Sequence, residues 1–232
     1  MRLRFTALRC LPVSLLAAAA LVSLPPPAEA SGVPHVLTSG AVGSARQVVL
    51  VSSSSTSATT ATVYWWIKHI DGSWHLARNG VAARIGVNGM SSGKREGDGK
   101  TPMGVYPVGI GFGWDANPGT KLPWRIADSN SRWVDDSGST YYNQWMQAPA
   151  NGRWHSAEQL RVTPYTYAIQ VGYNLSHKPG MGSAIFMHLN TGRATSGCIT
   201  SDKMTIVSSL KWLNPALQPH FVIGTRDWIA TH

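Results

Sequence analysis

His188 and Cys198 stand ten positions apart in the run Ser183-Ala-Ile-Phe-Met-His188-Leu-Asn-Thr-Gly-Arg193-Ala-Thr-Ser196-Gly197-Cys198-Ile199. A thiol at its ordinary pKa is mostly protonated near neutrality, so a nucleophilic cysteine needs a neighbouring base or cation. An imidazole at the end of an apolar strand supplies one, and the intervening loop is long enough to bring the chain back to it. Gly197, just before Cys198, lets the backbone approach a substrate carbonyl closely. The amides of Gly197 and Cys198 are then candidate oxyanion donors. A helix opening near Ser201 would add the positive end of its dipole. The alternative is that Cys198 is a small buried apolar residue and His188 a satisfied core histidine. A zinc site using His188, Cys198 and His177 has no CxxC, HxH or HExxH spacing behind it.

Other residues invite chemical readings of their own. Arg193 sits between His188 and Cys198, where it can hold a substrate carboxylate in two parallel hydrogen bonds or stand as a solvated loop charge. Trp133, Asp135, Asp136, Tyr141, Tyr142 and Asn143 form a dense aromatic and polar patch. It reads as a cleft wall for a peptide, or as a loop pinned by its aromatics. Gly99-Lys100-Thr101 looks like the end of a phosphate-binding loop, but position 94, where the first glycine belongs, is Lys94. A papain-like order is excluded because His188 precedes Cys198. Residues 99–104 read better as a tight turn feeding a strand, with Asp98 bonding locally to the backbone.

The elements that must position these groups are mostly strands. Segments 47–51, 62–70, 73–78, 81–87, 104–109, 165–171, 183–188 and 220–224 are rich in β-branched or aromatic residues. Between two of them lies Asp71-Gly72, the signature of a type I′ hairpin turn. Nine of the eleven residues at 52–62 are Ser or Thr, read here as a polar loop joining two strands. One helix is expected, capped by Ser201 or Asp202, striped by Met204, Val207 and Leu210, and stopped at Asn214-Pro215. Residues 110–161 lack clean periodicity and read as long loops carried on the sheet. The expected fold is a single mainly β domain over residues 31–232, a compact β-sandwich or barrel-like body with one or two short helices.

The chain has 232 residues, 43% hydrophobic and 13% charged, which excludes disorder. Two cysteines exclude a disulfide scaffold. Residues 1–30 have the layout of a secretory signal peptide: Arg2, Arg4 and Arg9, then an apolar stretch at 11–24, then Ala28-Glu29-Ala30. Cleavage there removes Cys10 and leaves Cys198 as the sole thiol, a reactive or intermolecular residue in an exported protein. It also lowers the formal charge by two from +9, because three Arg and Glu29 leave together. The expected location is outside the cytoplasm, in the cell envelope or secreted, with no stable membrane insertion after cleavage. Acidic wall polymers suit the remaining charge. The cations are scattered rather than clustered with aromatics, so nucleic acid is not an expected partner.

The run ending in Gly197-Cys198-Ile199 resembles the catalytic domain of bacterial L,D-transpeptidases, with its apolar strand ending in His, its loop, and its Gly-Cys-Ile. Upstream, Asp98-Gly-Lys-Thr-Pro-Met-Gly104 is similar to that family's Gly-x-x-x-Thr-Pro-x-Gly loop, and 134–143 looks like one branch of it. The resemblance implies Cys198 as nucleophile, His188 as base, the Leu189 carbonyl as its orienting group, and Gly197 in the oxyanion region. It places Ser196 where many members carry a second His, and Thr200 where many carry Arg or Asn. These departures bear on substrate choice and on the fate of the acyl-enzyme. The implied activity is a 3→3 cross-link between peptidoglycan stem peptides through a Cys198 thioester, without metal or organic cofactor. A carbapenem-type β-lactam would form an adduct at Cys198. Hydrolysis of the same thioester, as in an L,D-carboxypeptidase or endopeptidase, and a non-catalytic wall-binding module are the alternatives.

Overall fold

The computed structural model describes residues 32–232. The leader reading of residues 1–30, including Cys10, lies outside the described residues. In chain order the strands are β1 (Gln47–Ser53), β2 (Thr60–Lys68), β3 (Trp74–Arg84), β4 (Met90–Ser91), β5 (Thr101–Pro102), β6 (Gly104–Gly113) and β7 (Trp124–Ile126). They continue with β8 (Ser131–Val134), β9 (Trp145–Gln147), β10 (Ala157–Gln159), β11 (Ala168–Val171), β12 (Phe186–Leu189), β13 (Ile199–Ser201) and β14 (His220–Thr225). Three helices join them: α1 (His35–Thr38), α2 (Lys203–Trp212) and α3 (Arg226–Thr231).

Nine strands make one sheet in the order β11-β12-β13-β3-β2-β1-β14-β6-β7, and β6 also pairs with β11. That last pairing folds the sheet back on itself, giving a mainly β, sandwich-like body with few open edges. Val49, Val51, Val63, Trp65, Met187, Ile199, Phe221 and Ile223 fill its interior, and α2 adds Ile206 and Leu210, with Leu213 just after it. A second cluster seats α1 and α3 against the opposite face of β1, β2 and β14 through Val36, Leu37, Val48, Leu50, Trp66, Val222 and Ile229. The third lies under the site: Phe112, Trp133, Leu160, Tyr165, Phe186 and Cys198.

Several expectations change in detail. Segments 73–78 and 81–87 fuse into the single strand β3, whose pairing with β2 shifts register near Trp65. The hairpin turn is not type I′: at Asp71-Gly72 only Gly72 takes positive φ (86°), with its N–H on His69 O and the His69 N–H on Ser73 O. That is a three-residue loop with its glycine in the left-handed position. Residues 110–161 are not loops throughout. They finish β6 and build β7 and a separate sheet, β10-β8-β9, whose strands of three or four residues are too short to show a period. The strand foreseen from 165 starts at Ala168, because a 3₁₀ turn over Thr163–Tyr165 precedes it with Pro164 inside. Asp202, not Ser201, caps α2, accepting the Thr205 N–H at 2.9 Å. Among the described residues no helix is long and apolar enough to cross a membrane.

Candidate active site

Strand alternation sets the site. In β12, Met187 and Leu189 face the main core, while Phe186 and His188 face the other side. Parallel β13 pairs Ile199 with Met187, so Cys198, just ahead of it, turns to the Phe186 side. Cys198 Sγ accepts the Phe186 N–H at 3.4 Å and donates to Ala184 O at 3.2 Å. His188 and Cys198 thus share one face of two adjacent strands and line one cleft of about 650 Å³. No hydrogen bond joins them in the free protein; the thiol is held by Ala184 instead. His188 Nδ1 lies 3.0 Å from Leu189 O. A carbonyl only accepts, so Nδ1 carries the proton and Nε2 keeps its lone pair.

The loop between the strands, 190–198, is short for a parallel connection. It is anchored midway: Thr195 N–H reaches Ile85 O at 3.0 Å, and Val87 N–H reaches Thr195 O at 2.7 Å. Thr195 Oγ1 donates to Cys198 O at 2.6 Å and accepts the Gly197 N–H at 3.1 Å. The Gly197 amide is therefore engaged and is not the oxyanion donor the sequence suggested. The Cys198 N–H makes no turn, loop or side-chain hydrogen bond among the described residues and remains as the candidate. Gly197 serves a different close approach from the one expected. Its φ is +146°, and a Cβ there would stand 2.8 Å from Lys100 O. The Lys100 loop is in turn locked in place, since Thr101 Oγ1 accepts the Gly86 N–H at 2.9 Å and Asn88 N–H reaches Gly99 O at 2.9 Å. Asp98 accepts from Arg95 N–H, Lys100 N–H and the buried Lys94 Nζ at 2.7, 2.9 and 2.6 Å. The two sequence motifs meet here as backbone against backbone.

Electrostatics give a neutral resting pair. Burial pushes the Cys198 thiol up to about 12, helped by the charge of Glu158. Burial pulls the His188 imidazole down to about 4, opposed by its bond to Leu189 O. A thiolate formed in advance is thus not favoured. The helix dipole does not offset this, because β13 separates Cys198 from α2 by about 10 Å and Asp202 already occupies the helix N-terminus. Two residues that the sequence did not single out stand beside the pair. Tyr165 is buried, its ring edge-on to His188 with centroids 4.9 Å apart, and its hydroxyl donates to Glu158 and interacts with Cys198. Burial, with Asp135 and Glu96 adding negative charge, raises partly buried Glu158 to about 7 against the pull of the Tyr165 hydrogen bond. Glu158 fell in the stretch read as loop, and nothing local in its sequence marks a partner some forty residues on.

Ser196, grouped with the catalytic residues, lines the cleft, and the residues expected to bind substrate, Tyr142, Asn143 and Arg193, do not. Tyr142 is buried, its hydroxyl donating to Glu96 and accepting the Gly182 N–H. Asn143 is buried at φ 57°; its Oδ1 takes the Trp133 Nε1–H and Ala184 N–H, and its Nδ2 donates to Tyr173 O and Asn174 O. Both are braces under the cleft floor. Arg193 is exposed on the return loop. Asp135 and Glu96 do line the cleft. His177 lies on the surface away from it. Among the described residues no group of three His, Cys, Asp or Glu side chains is placed to hold a metal ion. Comparisons with protein-family models, curated proteins and solved structures found no match to this chain.

Proposed function

We propose that this protein is an exported cysteine acyltransferase of the L,D-transpeptidase kind, acting on peptidoglycan stem peptides. The observation that carries the reading is the convergence of Cys198 and His188 in one cleft, with the imidazole oriented so that Nε2 is free to accept a proton. The chemistry starts from neutral groups. When a stem peptide enters, the thiol leaves Ala184 O, His188 Nε2 takes its proton, and Sγ attacks the carbonyl of the third residue. The Cys198 N–H faces the developing oxyanion. Collapse expels the terminal D-alanine, whose amine takes the proton from His188, and leaves a thioester. An amine of a second stem attacks that thioester, passes its proton through His188, and regenerates the thiol. Catalytic hydrogen bonds that are absent in a free enzyme often form only in the substrate complex.

Incubation of the mature protein with isolated wall peptides, followed by mass, tests the proposal. Dimers joined between third-position residues are expected. Shortened monomers alone would make the protein a hydrolase of the same bond, and unchanged peptides would leave a wall-binding module. A covalent carbapenem adduct, lost in Cys198→Ala, is expected from the same nucleophile.

A further inference from the structure

The cleft that holds Cys198 and His188 runs against the charge of the chain. The sequence has a formal net charge of +9, yet Glu96, Asp135 and Glu158 all line this cleft. Among the described residues the one Lys or Arg on its wall is Lys94, whose Nζ is already engaged by Asp98 at 2.6 Å and Arg95 O at 2.9 Å. The ion pairs among those residues are Lys94–Asp98 and His155–Asp136, so none of the three cleft carboxylates has a cationic partner. Like charges gathered in a partly buried cleft oppose one another, and a bound cation relieves that repulsion.

Two of the three carboxylates keep a free oxygen. β10 pairs Glu158 with Trp133 of β8, and two residues along Asp135 Oδ1 accepts the Ser156 hydroxyl. Asp135 and Glu158 are therefore diagonal neighbours on the strand face that carries Trp133. Glu158 Oε1 accepts from Tyr165, while Glu158 Oε2 and Asp135 Oδ2 have no partner among the described residues. Glu96 is engaged at both oxygens, by the Tyr142 and Ser183 hydroxyls and by the Gly97 N–H, so it adds charge rather than a contact. A separate observation marks a ligand here: His188, 7% exposed, turns an unpartnered Nε2 to the same cleft. Among the described residues no three His, Cys, Asp or Glu side chains are placed to hold a metal ion, so the cation that suits brings its own N–H donors. We propose that Asp135 and Glu158 form a subsite for a protonated primary amine, the side-chain ammonium of the stem peptide that accepts the acyl group. The inference rests on the acyltransferase reading. In that chemistry the ammonium gives one proton to Glu158 and becomes a neutral amine. The amine attacks the thioester carbonyl and gives a second proton to His188, which returns it to sulfur as the C–S bond breaks. Glu158 then releases its proton to solvent. An amine held in this way takes the place of water, which favours transfer over hydrolysis.

The test is calorimetric titration of the mature protein with a stem tripeptide ending in lysine, and with the same peptide acetylated on the lysine side chain. The free amine should bind on the order of tenfold tighter, the effect of a charge-assisted hydrogen bond. That preference should shrink severalfold from low to high salt. Asp135→Asn and Glu158→Gln keep acceptors for Ser156 and Tyr165 but lose the charge. Each should cut the preference severalfold, and the double variant should abolish it. Asp227→Asn removes an exposed carboxylate of α3 and should leave it unchanged. Equal binding of the two peptides, no binding of either, or the same loss in Asp227→Asn would overturn the proposal. The wild type alone decides if a variant does not fold: a preference that salt does not weaken also overturns it. A preference that needs Asp135 and Glu158, without any wall-peptide turnover, would support the subsite and reject the acyltransferase reading. Turnover with equal binding would do the reverse.

Discussion

Two buried polar networks lie side by side on the Phe186 face of β12, and they differ in how completely they are paired. In one, Trp133 donates to Asn143, and Tyr142 and Ser183 both donate to Glu96; Asn143 alone spends both oxygen lone pairs and both N–H groups on four partners. In the other, Cys198, His188, Tyr165 and Glu158 are also secluded but incompletely paired. His188 has one partner and its Nε2 none, and all four carry large displacements from their ordinary proton affinities. Burial with complete pairing makes a brace. Burial with an unspent lone pair beside a cavity leaves a group poised for proton transfer.

Substitutions should separate the two networks cleanly. Cys198→Ala is expected to reduce wall-peptide turnover on the order of 10³-fold or more, with thermal stability close to the wild type. His188→Ala should cost on the order of 10²- to 10⁴-fold in kcat, measured by single-turnover mass assay. Asn143→Ala should show the reverse pattern. It strands the Trp133 Nε1–H and the Ala184 N–H and should cost ~2–4 kcal/mol by denaturant titration, while folded molecules keep their turnover. Retained stability with lost turnover in that variant would place Asn143 in the site after all.

Smaller effects test the join between the motifs. Gly197→Ala must adopt a positive φ and meet Lys100 O, for an expected loss of ~2–3 kcal/mol on the same titration. The smallest effect is in pH. His188 is depressed from 6.5 to about 4, so unfolding takes up its proton and stability is lost as pH falls from 6.5 through 4. Glu158 is raised from 4.5 to about 7, so its contribution is present at low pH and lost as pH rises from 4.5 through 7. The two oppose one another between pH 4.5 and 6.5. Glu158→Gln removes one, and its stability should fall more steeply on acidification than the wild type's, up to one proton's worth of slope in calorimetry.

Local pattern was enough to read the strand that ends at the base, the mainly β class and the helix after the nucleophile, while β13, three residues long, was not foreseen. Side-chain alternation and the capping of a helix are set by neighbours a few residues apart. The residues at 183–199 carry both the base and the thiol, and that proximity in sequence is what made the pair readable. Tyr142 and Asn143 misled because an aromatic, polar run looks the same whether it lines a cleft or supports one. Only burial and partners distinguish the two.

From its residues alone the chain determines that His188 ends an apolar strand, that a loop leads on to Cys198, and that a glycine precedes the thiol. Tertiary structure alone decided what that glycine leans on, that the Gly197 amide is already taken by Thr195, and that a carboxyl from a separate sheet enters the same cleft and takes the Tyr165 hydroxyl proton. Contacts of this kind join segments tens of residues apart. Their energies depend on which surfaces the closed sheet excludes from water, and no window of sequence holds that information.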